Sequence, residues 1–202
     1  MTRFSLFLGV LLMLAGPASA AGLLDAPISF TAQRSVTVNG QTYVGTMFHV
    51  PGQERHEQTL MGMPQVYILD DESGAGYMIL PGLKTFIKFP FPPLLSALVD
   101  GDIQKQPRGD EIVSGVPTTK YRVDHNSPDG THGEGFAWVS KRGVLMKLDG
   151  TMTAPGGHKT KVALILSDLK EGPQKPSLFA PPRDMTQLPI EALAPLIGGI
   201  GH

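Results

Sequence analysis

From Ile28 onward the chain alternates apolar and polar residues at period two, run after run, with Gly, Pro, Asn or Asp closing each one. Successive side chains of a strand point to opposite faces, so runs of this kind read as half-buried strands joined by turns. The clearest local signal is Asn39-Gly40, set between the runs 29–38 and 41–50. Both residues tolerate the positive φ of a type I′ turn, which predicts a tight hairpin. Pro51-Gly52 turns the chain into 53–60, a polar strand rich in charged groups, and 64–69 follows. Runs 76–80 and 84–89 pair around Pro81-Gly82. Further strands are expected at 110–113, 117–124, 134–140, 144–151 and 159–169, giving ten or eleven in sequence. Consecutive strands with tight turns predict an antiparallel meander.

One excursion breaks the pattern. Pro90, Pro92 and Pro93 precede a short apolar helix expected over 94–99, where prolines at the start cost no hydrogen bond. After the last strand, Ser177-Leu178-Phe179 suits one turn of helix pinning the exit against the sheet. From Leu188 onward the tail is apolar and nearly uncharged, and such a segment must cover something.

A sheet of this size has to bury one face, yet the sequence offers only one short helix and a tail to cover it. Strand twist accumulates across many strands, so the sheet curls instead of staying flat. The expected fold is mainly β: a curved antiparallel sheet forming an open half-barrel, with the short helix and the C-terminal tail over its concave face. What they leave uncovered would be an apolar groove.

The first twenty residues carry a separate message. Arg3, an apolar run over 4–14 and Ala18-Ser19-Ala20 form an export signal, with cleavage expected after Ala20. The run is too short to span a bilayer as a helix, which takes roughly 20 residues. The organisation expected is therefore a signal peptide over 1–20, one domain over 21–187 and the tail over 188–202, with no transmembrane segment in the mature chain. No cysteine occurs, so disulfides, thiolate metal sites and an acylated N-terminus are excluded. A net charge of −1 with intermixed signs gives no basic stripe for nucleic acid. The mature chain is expected to be a monomer.

Several stretches are similar to a known family. They include Pro51-Gly52-Gln53-Glu54-Arg55-His56-Glu57, Tyr77-Met78-Ile79-Leu80-Pro81-Gly82-Leu83-Lys84-Thr85-Phe86, and Gly115-Val116-Pro117-Thr118-Thr119-Lys120-Tyr121-Arg122-Val123. Gly135-Phe136-Ala137-Trp138-Val139-Ser140, Gly143-Val144-Leu145-Met146-Lys147-Leu148-Asp149-Gly150-Thr151 and Gly172-Pro173-Gln174 with Leu178-Phe179 complete the set. In their order and spacing, over residues 30–182, they resemble the DUF4412 group and, more distantly, the LolA/LolB-like lipoprotein carriers of Gram-negative bacteria. The resemblance implies an unclosed barrel over a hydrophobic cavity, a periplasmic location, and lipid acyl chains or a lipoprotein as the bound partner. Stress-sensing envelope proteins share the half-barrel, so another envelope protein is the alternative partner.

Signals for chemistry are sparse. His49, Arg55, His56 and Glu57 lie close together, but zinc needs three or four ligands at defined spacing. They read as a solvated convex strand with cross-strand charge pairs. Asp124, His125 and Ser127 have a triad's composition without a nucleophile turn. Gly74-Ala75-Gly76 lacks the strand-to-helix context of a phosphate loop, and Asp70-Asp71-Glu72 reads as a solvated turn. No catalytic residue, metal or cofactor is expected. The candidate site is instead apolar: Phe48, Val66, Ile68, Met78, Leu80, Phe86, Tyr121, Val123, Trp138, Met146, Leu148, Leu164 and Leu166 as groove residues, with Arg55 and Lys84 as polar groups at its rim.

Overall fold

The computed structural model describes residues 26–71, 73–90, 102–127 and 129–192. The expected signal peptide, the helix at 94–99 and the tail beyond residue 192 lie outside them.

Twelve strands form one open, curved sheet that does not close on itself. They are β1 (Phe30–Val38), β2 (Gln41–Val50), β3 (Gln53–Leu60), β4 (Met63–Asp70), β5 (Ala75–Leu80), β6 (Thr85–Pro90), β7 (Asp102–Val113), β8 (Val116–Asn126), β9 (His132–Ser140), β10 (Leu145–Thr153), β11 (Lys159–Glu171) and β12 (Thr186–Leu188). The spatial order is β12-β6-β5-β4-β3-β2-β1-β11-β10-β9-β8-β7. Two meanders thus meet at β1 and β11, which pair antiparallel from Phe30↔Glu171 to Val38↔Val162. Asn39 and Gly40 take positive φ at the β1–β2 turn, as the hairpin requires.

Two strands differ from the expected set. β7 starts at Asp102 and not at 110, because Pro107 hides strand character in the sequence. At a sheet edge, where β7 lies, a missing N–H removes no ladder bond, and a register shift between Pro107 and Asp110 absorbs the irregularity. β12 is the twelfth strand, and it pairs parallel to β6, so the sheet is not wholly antiparallel.

The two faces are packed differently. The inner, concave face carries the main core, built from alternate residues of nearly every strand, among them Phe30, Val36, Met47, Leu69, Met78, Ile87, Leu164 and Leu166. A second, smaller cluster lies on the outer face of β3–β6, where Val66, Ile68 and Ile79 pack against Phe179. Phe179 sits in the short 3-10 turn Pro176–Phe179. The segment following β11 therefore straps the outer face, and the Thr186 amide, bonded to the Lys84 carbonyl, leads it into β12. The one-turn helix expected around Ser177-Leu178-Phe179 is this turn.

The β9–β10 ladder has no room for side chains at one pair. Gly135 and Gly150 are direct partners in that ladder. A Cβ on Gly135 would come within 2.3 Å of the Asp149 carbonyl oxygen and 2.6 Å of Gly150 Cα. Only glycine permits strands to approach so closely, and such positions mark sharp bends in a sheet.

Candidate functional site

The ladder registers fix which side chains share the concave face. Across β4, β5 and β6, Tyr67, Met78 and Ile87 form one row, and Leu69, Gly76 and Phe89 the next. Across β11, β10, β9 and β8, Leu164, Leu148, Ala137 and Tyr121 form another. Burying these rows gives the sheet its apolar lining. A cavity of about 20 Å3 remains on this face, lined by Ala26, Phe30, Met47, His49, Glu54, Leu145, Leu164 and Leu166. It has room for about one water molecule.

Interrupting this lining is a buried polar cluster. β1 alternates Phe30, Ala32, Arg34, Val36 and Val38 into the interior, and Arg34 is 0% exposed. Its ladder partner Gly45 has no side chain, and Gly45 in turn pairs with Gln58. The guanidinium crosses β2 over that gap, and Arg34 Nη2 donates to Gln58 Oε1 at 2.9 Å. Tyr67 Oη donates to Gln65 Oε1 at 2.9 Å on β4. Next to them, Glu54 is held by two histidines. His56 Nε2 donates to Glu54 Oε2 at 3.0 Å, and His49 Nδ1 lies 3.5 Å from Glu54 Oε1. His49 Nε2 donates to the Ala26 carbonyl at 2.9 Å, and its ring stacks on Phe30 with centroids 4.8 Å apart.

Burial sets the electrostatics here. It pushes Arg34 down to about 10, partly opposed by Glu54, so the side chain stays a cation at neutral pH. Burial also drives the Tyr67 phenol far above its ordinary value. For Glu54, burial favours the neutral acid, but the hydrogen bonds and charges of His49 and His56 outweigh it and hold the carboxyl below the usual range. His56 is lowered by burial and by the nearby Arg34 charge, which together exceed the pull of Glu54. A Glu54 carboxylate beside a neutral His56, balanced by the Arg34 guanidinium, is the arrangement these directions favour.

The expectation of a solvated convex strand at His49 and His56 is corrected by this arrangement, since both are 1% exposed on the concave side. The physical reason is parity: Glu54, His56 and Gln58 share the row positions of Leu69, Tyr67 and Gln65. Arg34 and Glu54 went unnoticed in the sequence, although the alternation of β1 places Arg34 in an inward position. Arg55 and Glu57 do face outward, where Arg55 Nε bonds Glu57 Oε1 at 2.7 Å and Arg55 Nη1 bonds the Leu178 carbonyl at 3.0 Å. Arg55 therefore ties down the strap and is not at the concave rim. Lys84 sits in the turn before β6 with φ of 50°.

The expected groove residues divide between the two faces. Met78, Leu80, Tyr121, Val123, Met146, Leu148, Leu164 and Leu166 belong to the main core or pack against it. Val66, Ile68, Phe48 and Phe86 belong to the cluster beneath the strap. Trp138 is 4% exposed and belongs to the main buried cluster, although its ladder partners Lys147 and Lys120 put it one step out of phase with inward Ala137. Lys147 and Lys120 lie 4.2 and 4.8 Å from its ring centroid, and its Nε1 donates to Glu111 Oε2 at 2.6 Å. That bond, with Lys120, holds the Glu111 carboxyl below its ordinary value.

No protein-family profile matches the sequence, nor does any curated protein sequence. Solved structures do. An uncharacterised conserved protein from Thermus thermophilus aligns with a TM-score of 0.53 at 10% identity, over 81% of this chain and 91% of that one. MucB in complex with the periplasmic part of MucA aligns at 0.49 and 14% identity, over 85% of this chain and 59% of the other. A LolA superfamily protein from Nitrosomonas europaea aligns at 0.42 and 10% identity, over 77% and 91%. The Thermus protein shares the fold, and at these identities the likeness extends no further.

The other chemical candidates do not assemble. His125 Nε2 and Ser127 Oγ are 3.0 Å apart and buried, but Asp124 points to the opposite face, paired with Glu134 in the ladder. Among the described residues no three His, Cys, Asp or Glu side chains are grouped to hold a metal ion. None of their helices is long and apolar enough to cross a membrane.

Proposed function

We propose that this protein is a periplasmic binding or carrier protein for a lipid or lipidated partner, taken up on the concave face without chemistry. The observation that carries the reading is the apolar inner face, formed by one patch on β4–β6 and another on β1, β11, β10 and β8 with the Arg34–Glu54 cluster between them, on a sheet left unclosed between β7 and β12. These residues are already buried and the cavity beside them holds only about 20 Å3, so an acyl chain enters by opening this face, and a gain of up to about 0.8 kcal/mol per methylene has to offset that opening. The sequence resemblance to lipoprotein carriers and the export signal support it.

A second reading has its own observation. β7 is a sheet edge, Ile112 on it is 75% exposed, and a groove of about 360 Å3 beside it is lined by Asp110, Glu111, Ile112, Pro117, Thr118, Thr119 and Lys141. An extended segment of another envelope protein adding to that edge would use backbone bonds for affinity and the groove for one side chain.

Native mass spectrometry with lipid extraction, on protein purified from an envelope fraction, separates the two. Near-stoichiometric acyl species support the carrier. Lipid-free protein carrying a captured polypeptide, lost when Ile112→Lys is introduced, supports edge binding.

A further inference from the structure

The Glu54 cluster contains an asymmetry that the binding reading does not use. A carbonyl only accepts, so the 2.9 Å contact to Ala26 places a hydrogen on His49 Nε2. His49 Nδ1 then faces Glu54 Oε1 at 3.5 Å. Both ring nitrogens of His49 therefore face an acceptor. His56 is different. Its Nε2–H is already committed to Glu54 Oε2 at 3.0 Å. Among the described residues its Nδ1 has no hydrogen-bond partner, and the ring is 1% exposed. A proton placed there creates a buried cation with nothing to receive its second N–H.

The surroundings on every packed element make that cation worse. β1 contributes Arg34, already positive. β2 contributes Tyr43 and His49, β3 contributes Glu54 and Gln58, and β4 contributes Gln65 and Tyr67. Opposite them, Leu145, Leu164 and Leu166 from β10 and β11 are apolar, and among the described residues of the entry segment Ala26 offers its carbonyl to His49. Glu54 is the only carboxylate in this set, and it already answers Arg34. The cluster therefore resists a proton at His56.

We propose that this cluster is an acid-operated latch: a proton on His56 Nδ1 gives a buried cation whose second N–H has no acceptor, and the strain is relieved only by opening the β1–β4 side of the half-barrel away from its inner core. The same bonds fix the chain entry, since His49 ties Ala26 and stacks on Phe30. Acidification therefore frees the entry segment and the β2–β3 hairpin together, while β8 and β9, whose ladders do not touch the cluster, stay closed. The low protonation tendency of His56, caused by burial and Arg34, agrees with a latch that stays shut at neutral pH.

The test is hydrogen exchange read by mass spectrometry, corrected for intrinsic rates, at about pH 7.5 and about pH 5.5. In the unmodified protein, peptides from β2 and β3 lose protection by about tenfold for each pH unit below the ordinary histidine value, as one-proton linkage requires. Peptides from β8 and β9 keep theirs. His56→Gln retains an N–H for Glu54 but has no site for a second proton, so its β2–β3 protection becomes independent of pH. Equal protection at both pH values in the unmodified protein, or an undiminished pH response in His56→Gln, overturns the proposal. Should His56→Gln fail to fold, imidazole NMR of the unmodified protein decides. His56 must stay neutral below the usual histidine range and titrate together with loss of β2–β3 protection. Ordinary titration with the hairpin intact refutes the latch.

Discussion

Arg34 and Gln58 belong to strands that are not neighbours, yet their side chains bond at 2.9 Å because Gly45, between them in the ladder, leaves the path open. A buried guanidinium here depends on a missing Cβ one strand away. A Cβ on Gly45 would also fall 2.1 Å from the Glu57 carbonyl oxygen. Gly45→Val is expected to destabilise the protein by about 3 kcal/mol, through overpacking and the loss of Arg34's partner. At this chain length that lowers Tm by roughly 6–12 °C. A melt within two degrees of the unmodified protein contradicts the account.

Glu54 is the counter-charge of the interior. Glu54→Ala strands Arg34, His49 and His56 around a hole and is expected to cost about 3–5 kcal/mol, the usual penalty for breaking a buried pair from one side. Glu54→Gln keeps the shape and an acceptor oxygen, and should lose distinctly less. Denaturant midpoints of the two variants check this ordering, which fails if Gln is as damaging as Ala.

Acid should weaken the whole fold in two stages. His56 and Glu54 both bind protons less readily folded than unfolded. The unfolded chain is therefore protonated first, near the ordinary values of 6.5 for His56 and 4.5 for Glu54. The stability from His56 is complete above pH 6.5 and declines as pH falls through that value, by at most about 1.4 kcal/mol per unit and proton. That from Glu54 is complete above 4.5 and is lost below it. Urea midpoints between pH 8 and pH 3 trace the curve, and a flat line from pH 7 to pH 5 contradicts the first stage.

The strap is held mainly by Phe179, 6% exposed against Val66, Ile68 and Ile79, with Arg55 on the Leu178 carbonyl. Phe179→Ala is expected to cost about 3 kcal/mol and to open residues 172–185 to proteolysis. Limited digestion should cut there first, and cleavage elsewhere at an unchanged rate means the strap is anchored by other contacts.

Trp138 is the sole tryptophan of the chain, and it is buried with its ring against Lys147 and Lys120, its ladder partners, out of phase with the inward row of Ala137. Saturating fatty acid should leave its emission maximum unmoved while displacing a lipophilic dye. A shift in emission with binding would put the ligand on the outer face.

The fold was largely legible because turn chemistry and period-two alternation are local. Asn39-Gly40, Pro51-Gly52 and Pro81-Gly82 announce their turns, and the lack of helical covering implies a curled sheet. The site was less legible. Val66 and Ile68 carry the same apolar signal as Tyr67 and Leu69, because β4 is buried on both sides, and a strand covered twice gives no parity to read. Trp138 looks like core in any sequence, although two lysines and a carboxylate cover it. In β3 the polar character of His56 and Glu54 suggested solvent, when each had a buried partner.

The sequence by itself determined an array of strands, their turns and the alternation within each strand, because those are set by neighbours a few residues apart. Only the tertiary structure decided which alternate set turns inward, that Arg34 would meet Gln58 over Gly45, and that Glu54 would lie between two histidines. Those contacts depend on register between strands and on what covers each face, and both are fixed by residues far away in the chain.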